Sequence, residues 1–219
     1  MCFDDIWSRA TTLVGSRNRR GRGWSEVGIA LGPAWPELDG SRGFLKRQQN
    51  YVCRPVWNCA RATPTARREA RFLARAIEAG VAVPAVRFCL ETSDGRALLL
   101  IDAIEGATNL REVLRGVAGA ERGALLGRVG SAFAALHRAR IGHGALYDTH
   151  VLVRDDGLPV LIDFEKARRK LTRSWAAIAD LRRFFRRTPA LDACDRQRIL
   201  SAYPAREFPL LLLWSRLQA

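Results

Sequence analysis

HGALYDTHVLVRDDGLPVLIDFEK, His143 to Lys166, is the stretch whose reading decides the fold of this chain. Val151, Leu152 and Val153 make one short apolar strand, and Pro159 to Ile162 make a second. Asp155, Asp156 and Gly157 between them are turn formers, so the segment reads as a β-hairpin. Polar groups stand at both edges: His143 and His150 lead in, and Asp163 leads out. A buried strand is a rigid support for a carboxylate at its end. The plainer alternative is an ordinary hairpin with an Asp after a strand.

The spacing sharpens this. Protein kinases carry a loop, H-R-D-L-x-x-x-N, over eight positions, followed by a metal-binding Asp-Phe-Gly. His143 to His150 has the same length, with His150 where the metal-binding Asn would stand. Asp163 then follows an apolar strand, where it can hold magnesium against nucleotide phosphates.

Weaker signals lie upstream in a compatible order. Gly21, Gly23 and Ser25 precede the apolar run Val27 to Leu31. Glycines there permit a tight turn whose backbone N–H groups can approach phosphate, although a surface hairpin has the same composition. Lys46 follows in the strand Gly43 to Arg47. Thr63 as N-cap and Pro64 at the first turn open a helix that Gly80 ends. Ala66, Ala70, Leu73, Ala74 and Ile77 form its apolar stripe. Glu69 borders that stripe, so it can turn inward to Lys46 or stay at the surface with Arg68 or Arg71. Val81 to Leu90 and Ala97 to Ile101 read as strands. The linker from Asp102 to Gly106 is where adenine would meet backbone groups, at Asp102 and Ala103. Asn109 and Glu112 suit a helix start, Glu121 to Arg138 reads as a longer helix, and another falls near Ser174 to Arg187. Residues 1–20 read as a helix followed by a basic stretch.

Composition narrows the alternatives. Hydrophobic residues make up 48% of 219, enough to fill a core, and the net charge is +14. Lysine occurs only as Lys46, Lys166 and Lys170, so the generic positive charge is arginine and Lys46 stands out. Such a balance favours a polyanion: nucleic acid, an anionic membrane face or a phosphorylated glycolipid. No helix-turn-helix, zinc or RNA-binding signature accompanies it, so nucleic acid is not the expected partner. Cys2, Cys53, Cys59, Cys89 and Cys194 form no C-x-x-C pair, and the acidic Asp4 and Asp5 stand where a secretory leader would be basic. Reduced thiols in a cytoplasmic protein follow, with Cys53 and Cys59 as packing residues. The apolar run Phe208 to Leu217 is shorter than the about 18 residues that span a bilayer, and reads as a buried C-terminal helix or an interfacial anchor.

The stretches Arg20 to Val27, Phe44 to Tyr51, His143 to His150 and Leu161 to Arg168 resemble the bacterial lipopolysaccharide kinase family, the Kdo and core-heptose kinases, and especially its InaA-like branch. The resemblance implies an α+β, two-lobed protein-kinase-like fold. An antiparallel-sheet lobe would span 1–103 and a mainly helical lobe 104–219. It implies ATP and Mg2+ as cofactors and a sugar hydroxyl of the lipopolysaccharide core, or another phosphorylated glycolipid, as acceptor. Peripheral contact with the anionic inner-membrane face is then expected. By position, Lys46 would hold the α/β-phosphates, Glu69 would orient Lys46, His150 and Asp163 would hold metal, and Asp180 would brace the catalytic loop.

One departure bears on activity. The catalytic-base Asp would fall at position 145, where this chain has Ala145. Asp148 is the loop carboxylate that could substitute. The alternative to an active kinase is a pseudokinase, a nucleotide-responsive binding or stress module.

Overall fold

A computed structural model describes residues 2–21, 23–53 and 63–216 of the chain. Cys59 lies outside the described residues. Contacts group into two compact units, Met1–Leu73 with Pro84–Ala103 and Ala74–Val83 with Ile104–Ala219.

The first unit is built on an antiparallel sheet. Its elements are α1 (Phe3–Ser8), β1 (Thr12–Leu13), β2 (Asn18–Arg20), β3 (Gly23–Ala30), β4 (Gly43–Gln49), β5 (Val52–Cys53), β6 (Thr63–Pro64), α2 (Thr65–Glu78) as far as Leu73, β7 (Val86–Glu91) and β8 (Arg96–Asp102). The sheet order is β1-β3-β4-β8-β7, with β2 also on β3. Alternation along β4 assigns its residues to two faces. Leu45 and Arg47 point one way. Leu45 joins Ile6, Trp35, Leu38, Leu98 and Leu100 in a buried cluster. The Arg47 guanidinium donates to the Trp7 carbonyl at 2.9 Å and the Thr11 hydroxyl at 2.7 Å, tying the N-terminal segment to the sheet. Lys46 and Gln48 point the other way, toward α2.

Three expectations change here. The N-terminal helix is only Phe3–Ser8, and the basic stretch after it is in strands. Thr63 and Pro64 do not open α2; they pair with Val52 and Cys53 in a short two-stranded ladder, where a proline is tolerated at an edge. The helix entry is held instead by Gln48, whose Oε1 accepts from the Thr65 hydroxyl (3.0 Å) and the Ala66 amide (2.9 Å). Finally, Val81 belongs to the end of α2, its N–H donating to the Ala76 carbonyl at 2.9 Å around a left-handed Gly80, so β7 begins only at Val86.

The second unit is mainly helical. It holds β9 (Ala107–Asn109), α3 (Leu110–Gly116), α4 (Gly119–Arg138), β10 (Ile141–Gly142), β11 (Val151–Arg154), β12 (Pro159–Leu161), β13 (Arg168–Arg169), α5 (Arg173–Arg187), α6 (Ala193–Leu200) and α7 (Pro209–Arg216). The Asn109 side chain caps α3 by accepting from the Glu112 amide at 3.1 Å. Along α4, Leu125, Leu126, Val129, Phe133 and Leu136 are buried, on the stripe their spacing predicts. Phe133 meets Phe184 of α5 edge to face with centroids 5.0 Å apart. Gly130 lets α6 approach, since a Cβ there would lie 2.5 Å from the Ile199 carbonyl oxygen. β11 and β12 form the expected hairpin, with Gly157 at φ +76° in its turn and β9 on the far side of β11. Phe208 and Leu211 are buried at α7, while Leu210 is exposed. No described helix is long and apolar enough to cross a membrane.

Candidate active site

In the first unit, strand pleating sets a lysine–glutamate pair. Lys46 on β4 and Glu69 on α2 meet face on: Nζ donates to both carboxylate oxygens, at 2.8 and 2.7 Å. Glu69 is fully buried and Lys46 nearly so, which fixes the ammonium at one point. Of the two readings open for Glu69, the inward one is the observed one. Gln48, two residues beyond Lys46 and therefore on the same face, carries the hydrogen bonds that start α2 and so places Glu69. Sequence reasoning passed over Gln48, although the period of two was sufficient to find it.

The glycines form the expected tight turn, each for its own reason. Gly21 adopts φ +58° in the tight β2–β3 turn. Gly23 is required by packing, because a Cβ there would lie 2.2 Å from the Asn50 carbonyl oxygen. Ser25 is not positioned as a phosphate ligand. It stands opposite Gln48 in register, is buried, and accepts from Gln48 Nε2 at 3.2 Å. At Asp102 and Ala103, where adenine contacts are expected, the backbone N–H groups have partners in the first unit. The Asp102 amide donates to the Ala85 carbonyl and the Ala103 amide to the Arg42 carbonyl, each at 2.9 Å. The Asp102 carboxylate accepts from Arg87 at 2.6 Å. Both N–H groups are therefore already used within the sheet.

In the second unit, the loop from His143 to His150 is held from beneath by Asp180 of α5. Its buried carboxylate accepts from the backbone amides of His143 (2.5 Å) and Gly144 (3.0 Å) and lies 3.3 Å from His137 Nε2. Burial alone would raise this carboxyl. The hydrogen bond and charge of His137, with the nearby His143 and the Gly144 amide, outweigh burial and hold it below its ordinary value. The other ring nitrogen of His137 meets the Tyr203 hydroxyl at 2.8 Å. Burial pushes the Tyr203 hydroxyl well above its usual range, so it stays protonated and can donate. Gly144 sits at φ +77° with its Cα against the Lys166 carbonyl, where a Cβ would come within 2.4 Å of the oxygen.

His143 is fully buried and links the loop to the second strand. Nε2–H donates to the Ile162 carbonyl at 2.9 Å, while Nδ1 accepts from the Ala145 amide at 3.3 Å. This set uses the neutral ring, and burial pushes its pKa down to about 4. Phe164, also fully buried, packs on the ring with centroids 4.6 Å apart. Asp163, between Ile162 and Phe164, takes the left-handed conformation, φ 64° and ψ 65°. A non-glycine residue there is uncommon, and the fixed neighbours on both sides maintain it.

His150 Nδ1 lies 2.8 Å from the Ala145 carbonyl and 3.6 Å from Asp163 Oδ2. Nδ1 therefore carries the proton, and Nε2 is the nitrogen left to bind a cation. A magnesium ion fits this donor set through Asp163. Magnesium prefers oxygen, and commonly takes one or two protein carboxylates and completes its shell from phosphates and water. His150 adds a nitrogen better suited to softer divalent ions. Among the described residues no group of three or more His, Cys, Asp or Glu side chains converges as a metal cage.

Asp148 is not placed as a base. It is buried at 1% side-chain exposure, and Arg111 of α3 grips it with two bonds of 2.9 Å. Oδ1 also accepts from the Thr149 amide at 3.0 Å. A carboxylate so engaged orients the loop rather than a substrate hydroxyl. Arg111 escaped sequence reasoning, since nothing local in α3 marks a partner in a distant loop. Ala145 is itself buried, and the loop offers no other carboxylate.

Comparison with known proteins agrees with this architecture. The lipopolysaccharide kinase (Kdo/WaaP) family matches residues 4–203. Protein InaA of Escherichia coli (strain K12) is 25% identical over 213 residues, covering 93% of this chain and 95% of its own. KEOPS complex subunit Bud32 of Pyrococcus abyssi (strain GE5 / Orsay) is 37% identical over 97 residues, 44% of this chain and 42% of its own.

Proposed function

This chain belongs to the lipopolysaccharide kinase (Kdo/WaaP) family, and we propose that it transfers a phosphoryl group from Mg-ATP to a sugar hydroxyl of the lipopolysaccharide inner core. The observation that carries this reading is the buried Lys46–Glu69 pair, a fixed ammonium of the kind that holds α/β-phosphates. Asp163 would hold the magnesium ion, which when bound would neutralise charge on the phosphates. The left-handed backbone at Asp163 and the buried Phe164 aim that carboxylate. Arg182 and Arg186, exposed on α5, attract a phosphorylated acceptor. The protein works in the cytoplasm, at the inner face of the membrane that carries its acceptor.

Ala145 favours a second reading, a pseudokinase that binds nucleotide without turnover. Phosphoryl transfer runs through a loose transition state that depends mostly on positioning and charge, so a missing base slows transfer rather than forbidding it. Phosphate incorporation into purified lipopolysaccharide core separates the two. Transfer by the wild type, lost in Asp163→Asn and in Lys46→Ala, is the expected result. Magnesium-dependent ATP binding with no incorporation would replace the kinase reading with the pseudokinase one.

A further inference from the structure

The corner where β13 runs into α5 has a surface that the phosphotransfer reading does not use. Leu171 is 68% exposed and Trp175 51% exposed, both large apolar side chains within one turn of the α5 start. Arg168 and Arg173 are exposed and Lys170 half-buried beside them, while Arg169, the next residue along β13, turns to the opposite face, toward Glu78 and Ile141. Lys170 Nζ lies 5.5 Å from the centre of the Trp175 ring, so cation and apolar ring share one patch. Glu207 approaches Arg173 only at 3.7 Å and is bonded to Arg138 at 2.6 Å, so it does not neutralise the cluster.

We propose that this corner is a membrane-seating patch, with Leu171 and Trp175 entering the headgroup region of an anionic bilayer and Arg168, Lys170 and Arg173 lying among the lipid phosphates. The charge pattern selects the occupant. Three cations around two exposed apolar side chains match a surface that is negative outside and apolar beneath. A tryptophan ring, apolar in body with one N–H, is suited to that boundary. A folded protein partner would bury an apolar patch of this size behind a less uniformly charged rim. A single-stranded nucleic acid could stack on Trp175 but would leave Leu171 without a role.

The inference deepens the glycolipid-kinase reading, yet its test needs neither nucleotide nor acceptor. Vesicle binding without phosphate transfer would sink the kinase reading alone. Transfer to detergent-dispersed core by a chain that ignores vesicles would sink this one alone. The assay is co-sedimentation of the full chain with vesicles of phosphatidylcholine, or of equimolar phosphatidylcholine and phosphatidylglycerol. Binding to the anionic vesicles only, weakening with salt, is expected. Leu171→Ser with Trp175→Ser should weaken it at least tenfold, and Arg168→Gln with Arg173→Gln by about fivefold per cation removed. Leu31→Ser, which removes a comparably exposed side chain from the first unit, should change nothing. Thermal melts check that each variant is folded, with Leu171→Gln as the milder substitute for the double serine variant. Undiminished binding by a folded Leu171/Trp175 variant would overturn the proposal. So would equal loss in Leu31→Ser, or tighter binding to a single-stranded oligonucleotide than to vesicles at the same salt.

Discussion

Replacing Asp180 by alanine should unfold the loop scaffold before it touches any chemistry. The carboxylate satisfies the amides of His143 and Gly144 and faces His137 Nε2, all in a dry interior. A buried donor left without a partner costs about 1–3 kcal/mol, and removing one member of a buried pair about 3–5 kcal/mol. One orphaned amide and the broken pair sum to about 4–8 kcal/mol, and relaxation around the alanine favours the low end, about 4 kcal/mol. For a chain of this length each kcal/mol lowers the melting temperature by about 2–4 °C, giving roughly 8–16 °C. Asp180→Asn keeps one carbonyl acceptor and should lose about half as much.

Urea and thermal unfolding at neutral pH measure the loss, and hydrogen exchange at the His143 and Gly144 amides localises it. The pH dependence adds a second check. The Asp180 carboxyl lies below its unfolded value in the fold, so its stabilisation is present above the unfolded pKa and vanishes as pH falls through the folded one. Wild type and Asp180→Ala should therefore converge in acid. An alanine variant within about 1 kcal/mol of wild type at neutral pH, the effect of an ordinary substitution, would refute the assignment of Asp180 as the loop's support.

Further outcomes follow from the same geometry. His143 is held near pKa 4 against 6.5 when exposed, so on acidification the unfolded chain takes the proton first. Stability should fall from about pH 6.5 to about pH 4 by about 3 kcal/mol, and a folded His143→Asn chain should show a flatter profile; identical slopes would show that His143 is not the group titrating. Arg111→Met and Asp148→Asn should each lower the melting temperature, and the double variant should fall by less than the sum, the signature of one shared interaction. An Asp148→Asn chain that melts like wild type yet loses phosphate transfer would instead make Asp148 the base.

Much of the site was legible because its signals are local. The hairpin from Val151 to Leu161 follows from two apolar runs and an Asp-Asp-Gly turn. Lys46 stood out because the chain spends arginine elsewhere, but the α2 stripe is displaced from the expected one: Ala66 and Leu73 are buried, Ala74 and Ile77 are exposed, and Glu69 lies on the buried face with Ala66, Phe72 and Ala76. What was not legible depends on partners far along the chain. Thr63 and Pro64 have the composition of a helix start, but Val52 and Cys53 draw them into a ladder and Gln48 takes over the cap. Ser25 looks like a phosphate ligand in its glycine-rich context, yet strand register sets it against Gln48. Asp148 resembles a spare base until Arg111 is seen across it. In each case a side chain with two possible uses is assigned by a residue between 10 and 37 positions away, beyond the reach of any local pattern.

The same dependence governs what a restored carboxylate at position 145 would do. The Ala145 backbone is pinned on both sides, its N–H to His143 Nδ1 and its carbonyl to His150 Nδ1, so Ala145→Asp need not move the main chain. The side chain is another matter, because Ala145 is 1% exposed and its methyl group already fills its space. A carboxylate there must either displace its neighbours toward the open edge at Asp163 or stay buried beside the neutral His143 ring. The first course supplies a base in reach of solvent and should raise phosphate transfer with a modest drop in melting temperature. The second buries an unpaired charge, which destabilises by several kcal/mol and raises the carboxyl toward neutrality. Measuring transfer and melting temperature on the same Ala145→Asp preparation tells them apart. A gain in rate would mean that the loop lacks only its carboxylate. A large loss of stability with no gain would mean that the core has closed over position 145, and that this scaffold now serves nucleotide binding alone.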